Sequence, residues 1–208
     1  MVRTPRTRTV RPTAEQVLDG ALELFNRDGT AHTTTNGIAA HVGISPGNLY
    51  YWYADKQEII RALWTRFAAA HGALWEASDG PPPGPEQMLS RLSAATELSR
   101  TYRFLTRDIL ALVHADPQLH AAYTANRARR LAAFAELARS WRASGAIRPE
   151  GDDRLDDLVR ALWILAETWW SFAELDSEEA DPDPRSGERL LRAVIEPYLT
   201  TAARPEEE

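Results

Sequence analysis

Residues 43–56 read Gly43-Ile44-Ser45-Pro46-Gly47-Asn48-Leu49-Tyr50-Tyr51-Trp52-Tyr53-Ala54-Asp55-Lys56, with four consecutive aromatic residues between a Ser-Pro-Gly start and an Asp-Lys stop. Ser45 has the oxygen that an N-cap needs, and Pro46 stands at the first helical position, where its missing N–H costs nothing. Gly43 closes whatever helix precedes it. On the short helix so defined, Leu49 and Tyr53 lie four residues apart and face inward, which turns Gly47, Asn48, Tyr50 and Tyr51 outward. Trp52 faces neither side cleanly.

Helical signals continue in both directions. Thr13-Ala14-Glu15-Gln16 has the form of a capping box, and Leu18, Ala21, Leu22 and Phe25 then keep helical spacing until Asp28-Gly29, so a first helix is predicted over 14–27. Thr34 is placed to cap a short second helix that buries Ile38, Ala39 and Val42. Asp55 opens a long fourth helix carrying Ile59, Ile60, Leu63, Trp64, Phe67, His71 and Trp75, and the run Ser78 to Pro85 is predicted to be a loop. Further helices are predicted from Glu86 to Ala115 with a break near Ser99, from Asp116-Pro117 to Ser144-Gly145, from Asp152 to Leu175, and from Arg185 to Thr201. No segment alternates as a strand would, so the fold class is all-α.

Composition narrows the function. The chain has 208 residues, 44% hydrophobic and 26% charged, enough for one large or two modest cores. No apolar run approaches the roughly 18 residues needed to span a bilayer, and the Arg-rich start lacks the apolar stretch of a secretion signal, so a cytoplasmic protein with no membrane partner is expected. Cysteine is absent, which excludes disulfides, thiolate metal sites and a cysteine nucleophile. Five histidines, at 32, 41, 71, 114 and 120, form no two-ligand helical spacing, and there is no nucleophile motif or phosphate loop; no enzyme, cofactor or metal site is expected. The net charge of -6 is unevenly spread: residues 1–66 hold eight basic and six acidic residues, and 67–208 hold sixteen and twenty-four. Arg3, Arg6, Arg8 and Arg11 make residues 1–12 a flexible basic arm.

Two short helices joined through Gly43 have the layout of a helix-turn-helix. An outward face of one glycine, one asparagine and two tyrosines suits a DNA major groove: Gly47 allows close backbone approach, Pro46 or Tyr51 can meet thymine methyls, and Asn48 and the tyrosine hydroxyls can bond base edges or phosphates. Thr34 and Ser45 at helix N-termini, with Lys56, offer phosphate contacts.

The order Thr33-Thr34, Ile38-Ala39, Gly43-Ile44-Ser45, Leu49-Tyr50, Tyr53 and Lys56 resembles the TetR family of transcriptional regulators over residues 13–64. The resemblance implies phosphate contacts at Thr34, Tyr50 and Lys56 and base contacts at Gly47, Asn48 and Tyr51. Trp52 departs from the family's usual His, Tyr53 from its Phe, and Gly37 from the acid that closes the second helix's capping box. The implied architecture is an N-terminal DNA-binding domain at 13–55, joined by the long fourth helix to a helical effector-binding and dimerisation domain at 56–204. Partners implied are duplex DNA with a pseudo-palindromic operator, a second copy of the chain, and an apolar or aromatic small-molecule effector. A repressor released by that effector is the leading reading, with an activator or a helical interaction module of the same fold as the alternative.

The C-terminal half carries two stripes on the helix from Asp152: Leu155, Leu158, Val159, Leu162, Leu165, Ala166, Trp169, Phe172 and Ala173 on one, and Trp163, Glu167, Trp170 and Glu174 on the other. One should meet the core and the other a ligand or partner subunit. By resemblance, the last two helices form the dimer interface, with Leu190, Leu191, Val194, Ile195 and Tyr198 completing it. Trp64, Phe67, His71, Tyr102, Tyr123 and Trp163 are expected to line an effector pocket, with His71, Arg103 and Glu167 as polar anchors. The rings with one acid favour an aromatic or cationic compound, while Arg103 and Arg107 favour an acid. The cluster Arg127, Arg129 and Arg130 reads as a solvated helix face.

Overall fold

A computed structural model of the chain describes residues 13–75, 82–148, 151–176, 183 and 185–200. The basic arm at 1–12, the first part of the Ser78–Pro85 run and the acidic end of the chain lie outside the described residues. Among the described residues all regular elements are helical: α1 (Ala14–Asp28), α2 (Thr35–Val42), α3 (Pro46–Trp52), α4 (Lys56–Ala73), α5 (Pro85–Thr101), α6 (Arg103–Ala115), α7 (Pro117–Ala143), α8 (Asp152–Asp176) and α9 (Arg185–Ile195). The chain divides into two compact units, Met1–Leu63 and Trp64–Glu208, and the division falls inside α4.

In the first unit, α1 opens on the reciprocal Thr13–Gln16 capping box, each side chain accepting from the other's backbone N–H at 3.3 and 2.8 Å. Val17, Leu18, Ala21, Leu24 and Phe25 form its buried stripe, and Ile38, Ala39, Leu49 and Ile59 of the next three helices are fully buried as well. A fully buried side chain of this size contributes about 1.5–3 kcal/mol, so this small core depends on a few contacts. Between α2 and α3, Gly43 adopts φ 77° and ψ 32°, the left-handed conformation that residues with a Cβ avoid. Its N–H donates to Ala40 O (3.2 Å) and that of Ile44 to Ala39 O (2.9 Å), which satisfies the end of α2 and aims the chain into α3. Asp55 Oδ1 then accepts from Glu58 N (2.7 Å) and starts α4.

In the second unit, the break predicted near Ser99 falls at Tyr102, whose φ of -109° and ψ of 38° separate α5 from α6. Asp116 caps α7 by accepting from Gln118 N and Leu119 N, with Pro117 at the first position. Leu89, Ile147, Leu155, Leu191, Ile195 and Leu199 form one core cluster, with Trp141, Leu162 and Leu165 packed on it. Arg192 of α9 donates to both oxygens of Glu86 at 3.0 and 2.9 Å, fastening α9 to α5. The α8–α9 crossing is close: a Cβ on Gly187 would lie 2.3 Å from the Trp169 ring, and only glycine fits there.

Two expectations need correction. The last helix stops at Ile195 rather than Thr201, because Pro197 has no N–H to continue it; a short 3-10 turn follows, and the chain then bridges Ile147 through Leu199. The two stripes of α8 are also divided differently. Trp170 is only 2% exposed and belongs to the core, whereas Phe172 is 64% exposed. Ile164, Phe172 and Leu175 make a third, outward stripe, while Leu191 and Ile195 of α9 are core residues and only Leu190 of the large apolar ones there is exposed. Twenty-five residues on one helix can face a core, a cavity and a free surface at once, and the packing of neighbours assigns each.

Candidate functional site

Two places gather the predicted residues, one in each unit. In the first unit, Ser45 caps α3 by accepting from Asn48 N (3.3 Å), and the helix sinks Leu49 completely while Tyr53 keeps 8% exposure. The Tyr53 hydroxyl, absent from a phenylalanine, donates to Ala14 O at 3.4 Å. The opposite face carries Gly47, Tyr50 at 49% exposure and Tyr51 at 75%. Trp52 is 41% exposed and packs edge-on against Tyr51 with ring centres 4.9 Å apart, so it braces the outward tyrosine.

Beside α3 the N-terminus of α2 is open to solvent. Thr34 accepts from Gly37 N at 3.0 Å, so the glycine there still has its cap although no acid closes the box. The Tyr50 hydroxyl bonds Thr35 Oγ1 at 3.1 Å, and a shallow cleft runs between Thr33–Thr35, Tyr50 and Lys56. Lys56 commits two of its N–H donors to Thr30 O (2.7 Å) and Thr33 O (3.1 Å). It therefore holds the α1–α2 loop in place and brings one positive charge to the rim of the cleft.

In the second unit, a cavity of about 210 Å³ is walled by residues of all the helices from α4 to α9. Its rings form a continuous belt: Trp64 lies 5.4 Å from Tyr123 and 5.7 Å from Phe67, Phe67 5.4 Å from His71, His71 5.8 Å from Trp75, Trp75 5.5 Å from Phe134, and Phe134 6.2 Å from Trp163. Glu167 is anchored twice, accepting from Tyr123 Oη at 2.5 Å and from Trp163 Nε1 at 2.6 Å. Burial, reinforced by that bond to Glu167, raises the Tyr123 phenol above its usual range and keeps it neutral.

Of the eight residues expected at this pocket, Trp64, Phe67, His71, Tyr123, Trp163 and Glu167 line it, and Tyr102 and Arg103 do not. Tyr102 packs against Phe67 with ring centres 5.5 Å apart and accepts from Arg66 Nε at 2.8 Å. Arg130, expected on a solvated face, instead enters the wall. Its guanidinium carbon lies 5.4, 5.3 and 5.7 Å from the ring centres of Trp75, Phe134 and Trp163. Burial lowers its pKa to about 10, so it stays charged at neutral pH. A signal for it was present, since Tyr123, Arg127, Arg130 and Phe134 follow one another at spacings of four, three and four on one face of α7.

His71 is held neutral, its pKa lowered to about 3 first by burial and then by the nearby Arg130 charge. A folded-state value below the ordinary 6.5 means that the folded protein binds fewer protons, so this stabilisation is complete above pH 6.5 and is lost as pH falls towards 3. Between pH 7 and 5 the residue should account for about 2 kcal/mol of lost stability. His71→Phe, which keeps a ring in the belt, should remove that part of the pH dependence. Urea titrations at the two pH values check this; an equally steep loss in the variant would count against it.

Sequence and structure comparisons agree on one family. Residues 17–63 match the family described as "Bacterial regulatory proteins, tetR family", and residues 66–206 match TetR, described as "Bacterial transcriptional repressor". The chain is 24% identical to the HTH-type transcriptional regulator UidR of Escherichia coli (strain K12) over 193 residues, 92% of this chain and 95% of that protein. It is 30% identical over 71 residues to the uncharacterized HTH-type transcriptional regulator YvkB of Bacillus subtilis (strain 168), a match spanning 34% of this chain and 38% of that protein. A crystal structure of a TetR-family transcriptional regulator from Marinobacter aquaeolei VT8 superposes with a TM-score of 0.83 at 30% identity, covering 93% of this chain and 94% of that one.

Proposed function

Because the chain belongs to the TetR family of bacterial transcriptional regulators, and so is a DNA-binding regulator and not an enzyme, we propose that it is a cytoplasmic repressor released from its operator by a small apolar or aromatic effector. The observation that carries this reading is the double duty of α4. It gives Ile59, Ile60 and Leu63 to the core of the first unit, and Trp64, Phe67 and His71 to the wall of the ring-lined cavity. A ligand that repositions the cavity end of one continuous helix acts on the DNA-reading end as well, and its differential affinity for the two states sets the size of the response.

In this reading Gly47, Asn48 and Tyr51 meet base edges, with Pro46 and Trp52 beside them, while Thr34, Ser45, Tyr50 and Lys56 hold phosphates. The α2 N-terminus supplies aligned N–H groups next to the Tyr50 hydroxyl and the Lys56 charge, a favourable setting for a phosphate oxygen. Two copies joined through the outward stripe of α8 and through α9 place two reading helices on a pseudo-palindromic operator. The test is a gel-shift titration on the intergenic DNA beside the protein's own gene. Binding is expected to weaken on the order of a hundredfold or more between 50 and 200 mM salt, as counterion release requires. Absent or salt-insensitive binding would favour the helical interaction module.

A further inference from the structure

The polar atoms of the effector cavity are unequally satisfied, and the imbalance has a sign. Glu167, the acid of the wall, already accepts from Tyr123 and Trp163, one donor on each oxygen. Among the described residues, three buried side-chain nitrogens have no hydrogen-bond partner: Arg130 Nε, Arg130 Nη2 and Trp75 Nε1. All three are donors, each covered by its neighbours, so a ligand reaches them only as the surrounding side chains shift. Arg130 and Trp75 are neighbours, the guanidinium carbon lying 5.4 Å from the indole ring centre, and both line the same cavity. The rings of Trp75, Phe134 and Trp163 shield the guanidinium. A ring face attracts the positive charge but offers no localised acceptor for the N–H edges. A buried, charged donor edge without an acceptor is costly, and an acceptor brought by a ligand would satisfy it.

We propose that the effector is a small organic acid, a ring compound whose carboxylate bonds Arg130 Nε and Nη2 and the Trp75 indole N–H while its apolar body fills the aromatic belt. The proposal rests on the reading of this cavity as the effector site and specifies its ligand class. A cationic ligand is disfavoured at Trp75, Phe134 and Trp163, because the protein's own guanidinium lies against those rings and its charge repels a second one. A neutral ligand leaves the charged donor edge without a matching anion. A guanidinium offers a carboxylate two parallel N–H bonds, which fixes orientation as well as strengthening binding. The cavity of about 210 Å³ suits a one-ring body, since a site of about 150 Å³ is known to admit benzene.

The test uses the full-length protein and three probes of one shape, 3-phenylpropanoate, 3-phenylpropanamide and 3-phenylpropylamine, titrated by calorimetry. The acid is expected to bind at least about tenfold more tightly than the amide or the amine. Arg130→Met should weaken acid binding about ten- to a hundredfold while changing amide binding less than about threefold. Trp75→Phe keeps the ring, removes the indole N–H, and should weaken acid binding by a smaller factor; it also serves if Arg130→Met does not fold. Equal binding of the three probes to the parent protein, or acid binding unaffected by both substitutions, would overturn the anion assignment and leave the cavity as an effector site. Failure of all three probes to bind would overturn the effector reading along with it.

Discussion

Gly47→Glu is expected to weaken operator binding strongly while leaving the fold and the oligomeric state unchanged. Gly47 is exposed on α3, and a Cβ built there meets nothing closer than Ser45 Oγ at 4.0 Å, so a side chain can be added without displacing a neighbour. The helix should gain slightly: glycine is about 0.8–1.0 kcal/mol less favourable than alanine in helix interiors, and an acid in the first turn complements the helix dipole. The same carboxylate would sit on the face proposed to enter the major groove, where it blocks close backbone approach and opposes the phosphates. One misplaced group costs about 1–3 kcal/mol per half-site, and a symmetric dimer would carry the change twice, so affinity should fall by roughly thirtyfold to ten-thousandfold. Gel-shift titration alongside a thermal melt and light scattering checks both halves. Unchanged operator affinity in the folded variant would remove α3 from the groove.

Phe172→Glu is expected to convert the proposed dimer to a monomer, and operator binding should weaken with it. Phe172 lies at 64% exposure between Ile164 at 56% and Leu175 at 80%, on a stripe of α8 that its own subunit leaves uncovered. Contiguous apolar surface of this kind on a helix marks an interaction face. The chain's own copy is the occupant proposed, consistent with family members that assemble in pairs. Fully burying a phenylalanine contributes about 1.5–3 kcal/mol, a two-fold interface counts it twice, and the substitution adds two like charges that must lose water on association. A weakening of dimerisation by about a thousandfold or more follows. Because the replaced ring is largely exposed in the subunit, the variant should keep its fold. Light scattering at micromolar concentration reads the outcome, and a variant that remains a dimer would place the interface elsewhere.

How far residues could be assigned in advance depended on the range of the interactions involved. The capping box at Thr13, the turn at Gly43, the Ser45-Pro46 start and the inward pair Leu49 and Tyr53 are all governed by groups within four residues of each other, and the structure has them as the spacing predicts. The aromatic lining of the cavity was partly readable for the same reason, since Trp64, Phe67 and His71 share a face of α4. Tyr102 and Arg103 stand at the α5–α6 break itself, where one helical register ends and another begins, so spacing along the chain does not place them. Arg130 was misread because a cluster of arginines on a helix is ordinarily solvated; only three rings arriving from α7, α8 and the end of α4 make a buried place for a guanidinium.

Local periodicity and capping by themselves determined an all-helical chain, the helix-turn-helix between Thr34 and Trp52, and the division of its four aromatic residues into Tyr53 inside and Tyr50 and Tyr51 outside. Trp52, which helical spacing left facing neither side, was settled by contact: it stands against Tyr51 at the edge of the reading face. Tertiary packing alone decided which stripe of α8 stays uncovered, which rings close the cavity and which of its polar atoms remain without a partner. Helix formation is settled between neighbours in sequence, whereas burial and hydrogen-bond satisfaction depend on groups brought together from opposite ends of the unit.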